Sequence, residues 1–283
     1  MNSPMGDFLK PEGFAGPQGL RALSREGSIV EETVRYLRRV RADRKVSDAL
    51  PYAGHHRPAG VEPVLLIPGF MAFDATLAPM ARMLRGAGYR TYRSHIGVNM
   101  GCTREAADRL ERRVEAIALH RGRKVSIVGH SLGGMLARGL AARRPDLIAG
   151  IVSMGSPVLA PGAVHDLLSR DAELLTRLTR AGFGGLMSED CIAGDCARSS
   201  FEETHQPLDP AVGFTAIYSR RDGIVDWRAC IDPAATAVEV SASHVGMALD
   251  PLVFDAVHTA LEGQRVSRLA ARANPVEAPS ATA

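Results

Sequence analysis

The 283-residue chain has no apolar run approaching the roughly 20 residues that a membrane-spanning helix needs. Four cysteines are too few for a scaffold held together by disulfides at this length. The opening segment MNSPMGDFLKPEGFAG lacks a basic patch followed by an apolar stretch. No secretory signal is read there, and a cytoplasmic location is the expectation. Charge of one sign is also scarce, with a net value of +3. Residues 1–60 hold 10 Lys and Arg against 7 Asp and Glu, and the rest of the chain holds 24 of each. A nucleic-acid-binding domain carries its basic stripe on the folded body, so a neutral body argues against a nucleic-acid partner. There is no G-x-G-x-x-G loop and no P-loop, which leaves no nucleotide cofactor implied, and no internal repeat is visible.

What remains, 46% hydrophobic and 23% charged residues, is the balance of a globular protein. The sequence divides into an N-terminal tail and amphipathic helical arm (1–58), a main domain (59–264) and a C-terminal tail (265–283). Residues 1–27 are rich in Gly and Pro and read as a loose tail. The stretch SIVEETVRYLRRVRADRK reads as a helix capped by Ser28, with Glu31 as its capping-box partner. Val30, Val34, Leu37 and Val40 form a narrow stripe at helical spacing. Such a stripe is read first as a docking face on the body, and second as a membrane-surface or partner-binding face. His55 and His56 fall in a linker. The tail after Gln264, rich in Ala, Arg and Pro, is expected to be unfolded.

Residues 61–157 alternate strand and helix signals. VLLIPGF, YRTYRS, KVSIVGH and DLIAGIVSMGSP read as strands. Between them, ATLAPMARMLRGAG, TREAADRLERRVEAIALHRG (capped by Thr103) and LGGMLARGLAARRP read as helices. This rhythm implies βαβ units and a parallel sheet covered on both faces. Residues 158–210 break it with Leu167, Leu168, Leu174, Leu175 and Leu178 at helical spacings, as in an inserted helical region. VGFTAIYS and AVEVSAS then resume as strands, and PLVFDAVHTALEG closes as a helix.

Gly129-His130-Ser131-Leu132-Gly133 fits the G-x-S-x-G nucleophile elbow. The five residues alone are a weak signal. Their setting, between an apolar strand and a helix, is the one the motif requires, because the chain must turn sharply and hold its serine exposed. The elbow also supplies a backbone N–H just after the nucleophile, at Leu132, for an oxyanion.

With this elbow the sequence resembles the α/β-hydrolase superfamily, and within it the bacterial lipase and esterase branch, over roughly residues 61–262. LLIPGF, YSRRDGIVDW and SASHVGM match in the same order. The resemblance implies a mostly parallel central sheet with helices on both faces and an inserted helical cap (158–210). It implies a catalytic Ser131–Asp222–His244 set in that chain order, with His244 as general base. Asp226 competes with Asp222 for the acid's place, and that choice stays open. By the same resemblance Phe70 is the second oxyanion donor beside Leu132. The implied reaction is hydrolysis of a small-molecule or lipid acyl ester through an acyl-enzyme, with the Leu-rich cap favouring an apolar acyl chain. Peripheral membrane contact is compatible with it, and no oligomeric state is read. Two alternatives share the pattern: a thioesterase or acyltransferase using the same triad, and a ligand-binding protein without turnover. Cys191 and Cys196, spaced C-x4-C, could bind a metal or pair as a disulfide, and are read first as reduced structural thiols, with their redox state left open. No His-rich segment supports zinc, so neither metal nor cofactor is expected.

Overall fold

Apolar runs without alternation belong inside a sheet covered on both faces, and the central strands of this protein are such runs. A computed structural model describes residues 5–49 and 63–273. In chain order its elements are α1 (Gly19–Arg25), α2 (Ile29–Ala49), β1 (Pro63–Ile67), α3 (Ala78–Gly86), β2 (Arg90–Arg93) and α4 (Thr103–Arg121). Then come β3 (Val125–His130), α5 (Leu132–Arg143), β4 (Ile148–Met154), α6 (Asp166–Arg180), α7 (Asp190–Ala193), α8 (Asp195–Thr204), β5 (Gly213–Ser219), β6 (Thr236–Val240) and α9 (Pro251–Ala273). The strands form one six-stranded sheet in the order β2-β1-β3-β4-β5-β6, parallel throughout. Every residue of β1, β3 and β4 is buried.

Alternate strand residues feed two cores. Leu65, Ile67, Ile127 and Ile151 meet Leu110 and Val114 of α4 and Leu140 of α5. Val64, Leu66, Val128 and Val152 meet Met80 and Leu84 of α3 and Val253 and Val257 of α9 on the other side. Each fully buried Leu or Ile contributes about 1.5–3 kcal/mol relative to exposure. The sheet therefore supplies a stiff platform for the loops at its carboxyl edge.

Several expectations are corrected. Residues 5–28 are a docked segment rather than a loose tail: Gly6 N–H donates to Ile192 O, Gly162 N–H donates to Leu9 O, and Leu9 and Ala22 are buried. Helix α2 docks by its polar side. Glu32 is fully buried, Arg35 pairs with buried Asp250, and Val30, Val34 and Leu37 face solvent. Ser28 Oγ bonds Glu32 Oε1 at 3.0 Å, while Glu31 pairs with Arg35. Cys102 occupies the cap position of α4, and Thr103 is the first helical residue. Helix α9 runs past Gln264 to Ala273, and Gln264 is buried against Ile151 O and Thr215 Oγ1. His55, His56, the boundary at residues 58 and 59, and residues 274–283 lie outside the described residues.

Between β4 and β5, α6 to α8 form a separate small cluster in which Ala172, Leu175, Met187 and Ile192 are buried. Of the five insert leucines at helical spacing, Leu167 and Leu174 are exposed, Leu178 is half-buried, and Leu175 belongs to this internal cluster. Leu168 faces the cavity described below. Among the described residues, no helix is long and apolar enough to cross a membrane.

Candidate active site

In a parallel sheet the crevice forms at the carboxyl edge where successive connections leave in opposite directions. Here β1 lies between β2 and β3, so that point falls where β1 and β3 end. Pro68-Gly69-Phe70 follows β1, and Ser131 follows β3. Ser131 has φ 52° and ψ −123°, a conformation that non-glycine residues rarely adopt and that costs about 1–3 kcal/mol. Its neighbours make the turn feasible. A Cβ on Gly129 would lie 2.4 Å from Gly133 O, and one on Gly133 would lie 2.2 Å from Ile67 O. The glycines are thus required by close backbone approach on both sides of the serine. Ser131 N–H donates to Met154 O at 2.8 Å, which fixes the elbow against the end of β4.

Asp222 and His244 sit in the loops after β5 and β6. His244 Nδ1 donates to Asp222 Oδ2 at 2.7 Å, and both side chains are buried. The other carboxylate oxygen, Oδ1, accepts from the N–H groups of Ile224 (2.8 Å) and Val225 (2.7 Å). With Nδ1 committed to the carboxylate, Nε2 is the basic nitrogen. Burial pulls the His244 pKa down, but the charge and hydrogen bond of Asp222, helped by Glu26, outweigh it and leave it raised. The pair lies beside the elbow. A Cβ on Gly155, the residue after Met154, would be 3.1 Å from His244 Nδ1 and 3.3 Å from Asp222 Oδ2. Asp226, the competing acid, is turned elsewhere. It caps the turn at Trp227–Cys230, pairs with Arg228, and accepts from Ala15 N–H at 3.0 Å. Burial raises its pKa, but the bonds from Arg228 and Ala15 prevail and hold it below the usual carboxylate range.

His130 supports the loop rather than the chemistry. Its Nε2–H donates to His244 O at 2.9 Å. Burial, then the neighbouring His244, lowers its pKa to about 4, so it stays neutral.

Phe70 and Leu132 line the same cavity as Ser131, and their backbone N–H groups find no acceptor among the described residues. The loop bearing Phe70 is held by buried Asn99. Its Nδ2 donates to Pro68 O (2.9 Å), its carbonyl accepts from Met71 N–H (2.9 Å), and its N–H donates to Ala72 O (2.8 Å). The cavity measures about 160 Å³, with a mainly apolar lining that includes Leu168, Met187 and Ile192 from the insert and Met5 and Leu9 from the N-terminal segment.

Two groups here escaped sequence reasoning. Asn99 had no motif to mark it. Glu26 accepts from the N–H groups of Gly223 (2.9 Å), His244 (3.0 Å) and Val245 (3.0 Å), and so ties the acid loop to the histidine loop. Glu32 adds bonds to Ser243 N–H and Oγ, both at 2.7 Å. No local pattern connects residue 26 with residue 244. The only available signal was a carboxylate in a Gly- and Pro-rich segment.

An elbow serine at the switch point of a parallel sheet, an acid after β5, a histidine after β6 and helices on both faces define the architecture. This is the α/β-hydrolase fold. A family profile for the alpha/beta hydrolase fold matches residues 78–179. The chain is similar to a triacylglycerol lipase of Vibrio cholerae serotype O1, 32% identical over 112 residues. That alignment covers 38% of this chain and about a third (35%) of the lipase's length. Among solved α/β-hydrolase structures it is similar to mature Bacillus licheniformis lipase BlEst2, at TM-score 0.55 and 15% identity, over 72% of this chain and 93% of that one. It is also similar to the pyrethroid hydrolase PytH, at TM-score 0.51 and 17% identity, over 73% and 99% of the two chains. The likeness to bacterial lipases and esterases thus extends from the sequence to the fold.

Proposed function

We propose that this α/β-hydrolase is a serine hydrolase of carboxylic esters that carry a small apolar acyl group. The observation that carries the reading is the buried His244–Asp222 pair beside the strained elbow serine, at the wall of an apolar cavity. In this reading His244 Nε2 takes the Ser131 hydroxyl proton as Oγ attacks the ester carbonyl. The N–H groups of Phe70 and Leu132 receive the developing oxyanion. Collapse expels the alkoxide, which leaves with the proton held by His244, and Ser131 retains the acyl group. Water then repeats the sequence, giving up its proton to His244 and releasing the acid. Asp222 stabilises the imidazolium formed in each half.

The cavity sets the acyl preference. About 160 Å³ is close to the roughly 150 Å³ apolar cavity that accommodates benzene, so short acyl chains fill it. The test is labelling by a fluorophosphonate together with turnover of acetyl and butyryl esters. Wild type should label and turn over, and Ser131→Ala should do neither at an unchanged melting temperature. Unlabelled wild type, or an active Ser131→Ala variant, would overturn the assignment. A parallel panel of CoA thioesters distinguishes ester from thioester substrates.

A further inference from the structure

Cys102, Cys191 and Cys196 come from three separate places. Cys102 caps α4 in the main domain, Cys191 lies in α7, and Cys196 is the second residue of α8. Folding brings their three sulfurs within 4.8 Å of one another, with Cys102 Sγ and Cys196 Sγ 3.4 Å apart. Sequence spacing joined only Cys191 and Cys196, because Cys102 is 94 positions from Cys196. A single disulfide uses two sulfurs and leaves a third with no purpose. Three converging sulfurs have the composition of a site for a thiophilic cation.

The dimensions agree. Thiolates sit about 2.3 Å from zinc, which places them about 3.8 Å apart around a tetrahedral ion. The 3.4 Å pair and the 4.8 Å upper bound are compatible with that separation, so small rotamer changes suffice. The backbone is suited to negative charge as well. Cys102 is the cap residue of the 19-residue α4 and Cys196 is the second residue of the 10-residue α8, so two helix N-termini lie at the sulfurs. Without a cation the cluster favours neutral thiols. Burial, and then the crowding of Cys102 and Cys191, pushes the Cys196 pKa up to about 12. A bound cation reverses that balance, because each coordinating thiol releases its proton to solvent as the metal–sulfur bond forms. Ser188 Oγ lies 3.4 Å from Cys191 Sγ at the edge of the cluster.

We propose that Cys102, Cys191 and Cys196 form a three-thiolate site for a soft divalent cation of the zinc class, which clips the cap to the main domain. The clip would act on a defined path. Cys102 follows Met100, whose carbonyl accepts from Met187 N–H of the insert at 2.9 Å. Met100 follows Asn99, which holds the Phe70 loop. An ion at the three sulfurs therefore braces the cap and the Phe70 loop through one short stretch of chain. No residue of the Ser131–His244–Asp222 set belongs to the site, although Cys191 also lines the cavity beside Ser131, and the metal and spectral readouts do not depend on ester turnover.

The test uses the full chain, purified under reducing conditions without chelator. Zinc should be found at one equivalent per chain. Replacing it with cobalt(II) should give the intense thiolate-to-cobalt absorption of a sulfur-rich tetrahedral site. Cys102→Ser, Cys191→Ser and Cys196→Ser should each weaken or abolish that absorption, while Cys230→Ser, at a buried thiol outside the cluster, should leave it intact. Chelation should lower the melting temperature, and added zinc should restore it. Cys196 is buried, so the half-exposed Cys102 and Cys191 variants carry the test if Cys196→Ser fails to fold. Three results would each overturn the proposal: no zinc and no cobalt–thiolate bands at micromolar free ion, bands that survive a Cys102→Ser, Cys196→Ser double variant, or an intact mass two hydrogens short that reveals a disulfide.

Discussion

Glu26 offers a sharp test, because it touches no substrate and yet holds both loops of the candidate base. Its Oε1 accepts from Gly223 and His244, and its Oε2 accepts from Val245. In Glu26→Gln the amide oxygen keeps the Oε1 pair, and the NH2 group is turned against the Val245 N–H, a donor facing a donor. One charge-assisted bond is lost outright, at about 1.5–3 kcal/mol. Val245 is 47% exposed, so water compensates and the lower end applies. If about 1.4 kcal/mol is felt in the population of the aligned loop, kcat/KM falls about tenfold. The charge change has a separate signature. Glu26 is one of the groups that raise the His244 pKa, so its neutralisation lowers that pKa. The unprotonated base then persists to lower pH, and the acid limb of the kcat/KM profile moves down. A positioning residue predicts both effects together, measured with a short-chain activated ester across the acid range. An acid limb that stays in place or moves up refutes the assignment, whatever happens to the plateau. Glu26→Asp, which restores the charge on a shorter arm, should return the limb toward its wild-type place while recovering only part of the rate.

Asp222→Asn should lower kcat by about 10³–10⁴, as an amide selects the wrong imidazole tautomer. Asp226→Asn should instead lower the melting temperature with kcat/KM nearly unchanged, since Asp226 anchors Ala15 and Arg228; the reverse ranking would move the acid. Ser131→Gly should abolish turnover yet raise stability by about 1–3 kcal/mol in denaturant titration, by relieving the elbow at φ 52°. A destabilised glycine variant would mean that the elbow is unstrained. Leu168→Gln should flatten the preference between acetyl and butyryl esters, with up to about 0.8 kcal/mol at stake per buried methylene. Leu174→Gln, at an exposed position, should leave the preference unchanged. Equal effects of the two would place the specificity outside the cavity wall.

The sheet was legible because its central strands are buried on both faces, so VLLI and IVSM could be read without alternation. The elbow was legible because its glycines answer a steric demand that acts within five residues. The N-terminal arm was not, because what pins it is non-local. Gly and Pro in residues 1–27 pointed to a loose tail, but residues 5–18 are held by Asp226, Ile192 and Gly162, and Gly19–Arg25 is the helix α1. Helix α2 misled through its apolar stripe. Patterning assumes that apolar residues choose the buried face, whereas here Glu32 and Arg35 find partners in the body and leave Val30 and Leu37 outside. The extension of α9 past Gln264 was an error of a different kind, since Ala, Arg and Leu are strong helix formers and the composition already favoured a helix.

The hold of Glu26 on His244 spans 218 positions along the chain. During synthesis the arm emerges before β5, β6 and their loops and must wait for them before it can dock. Contacts this distant in sequence close late, because the entropy of the intervening loop must be met before they form. The central sheet and its helices can therefore assemble while the histidine loop is still unrestrained. Refolding followed by far-UV circular dichroism and by ester turnover should show two phases, with the sheet and helix signal preceding the return of activity. Competence then arrives as the last event of folding.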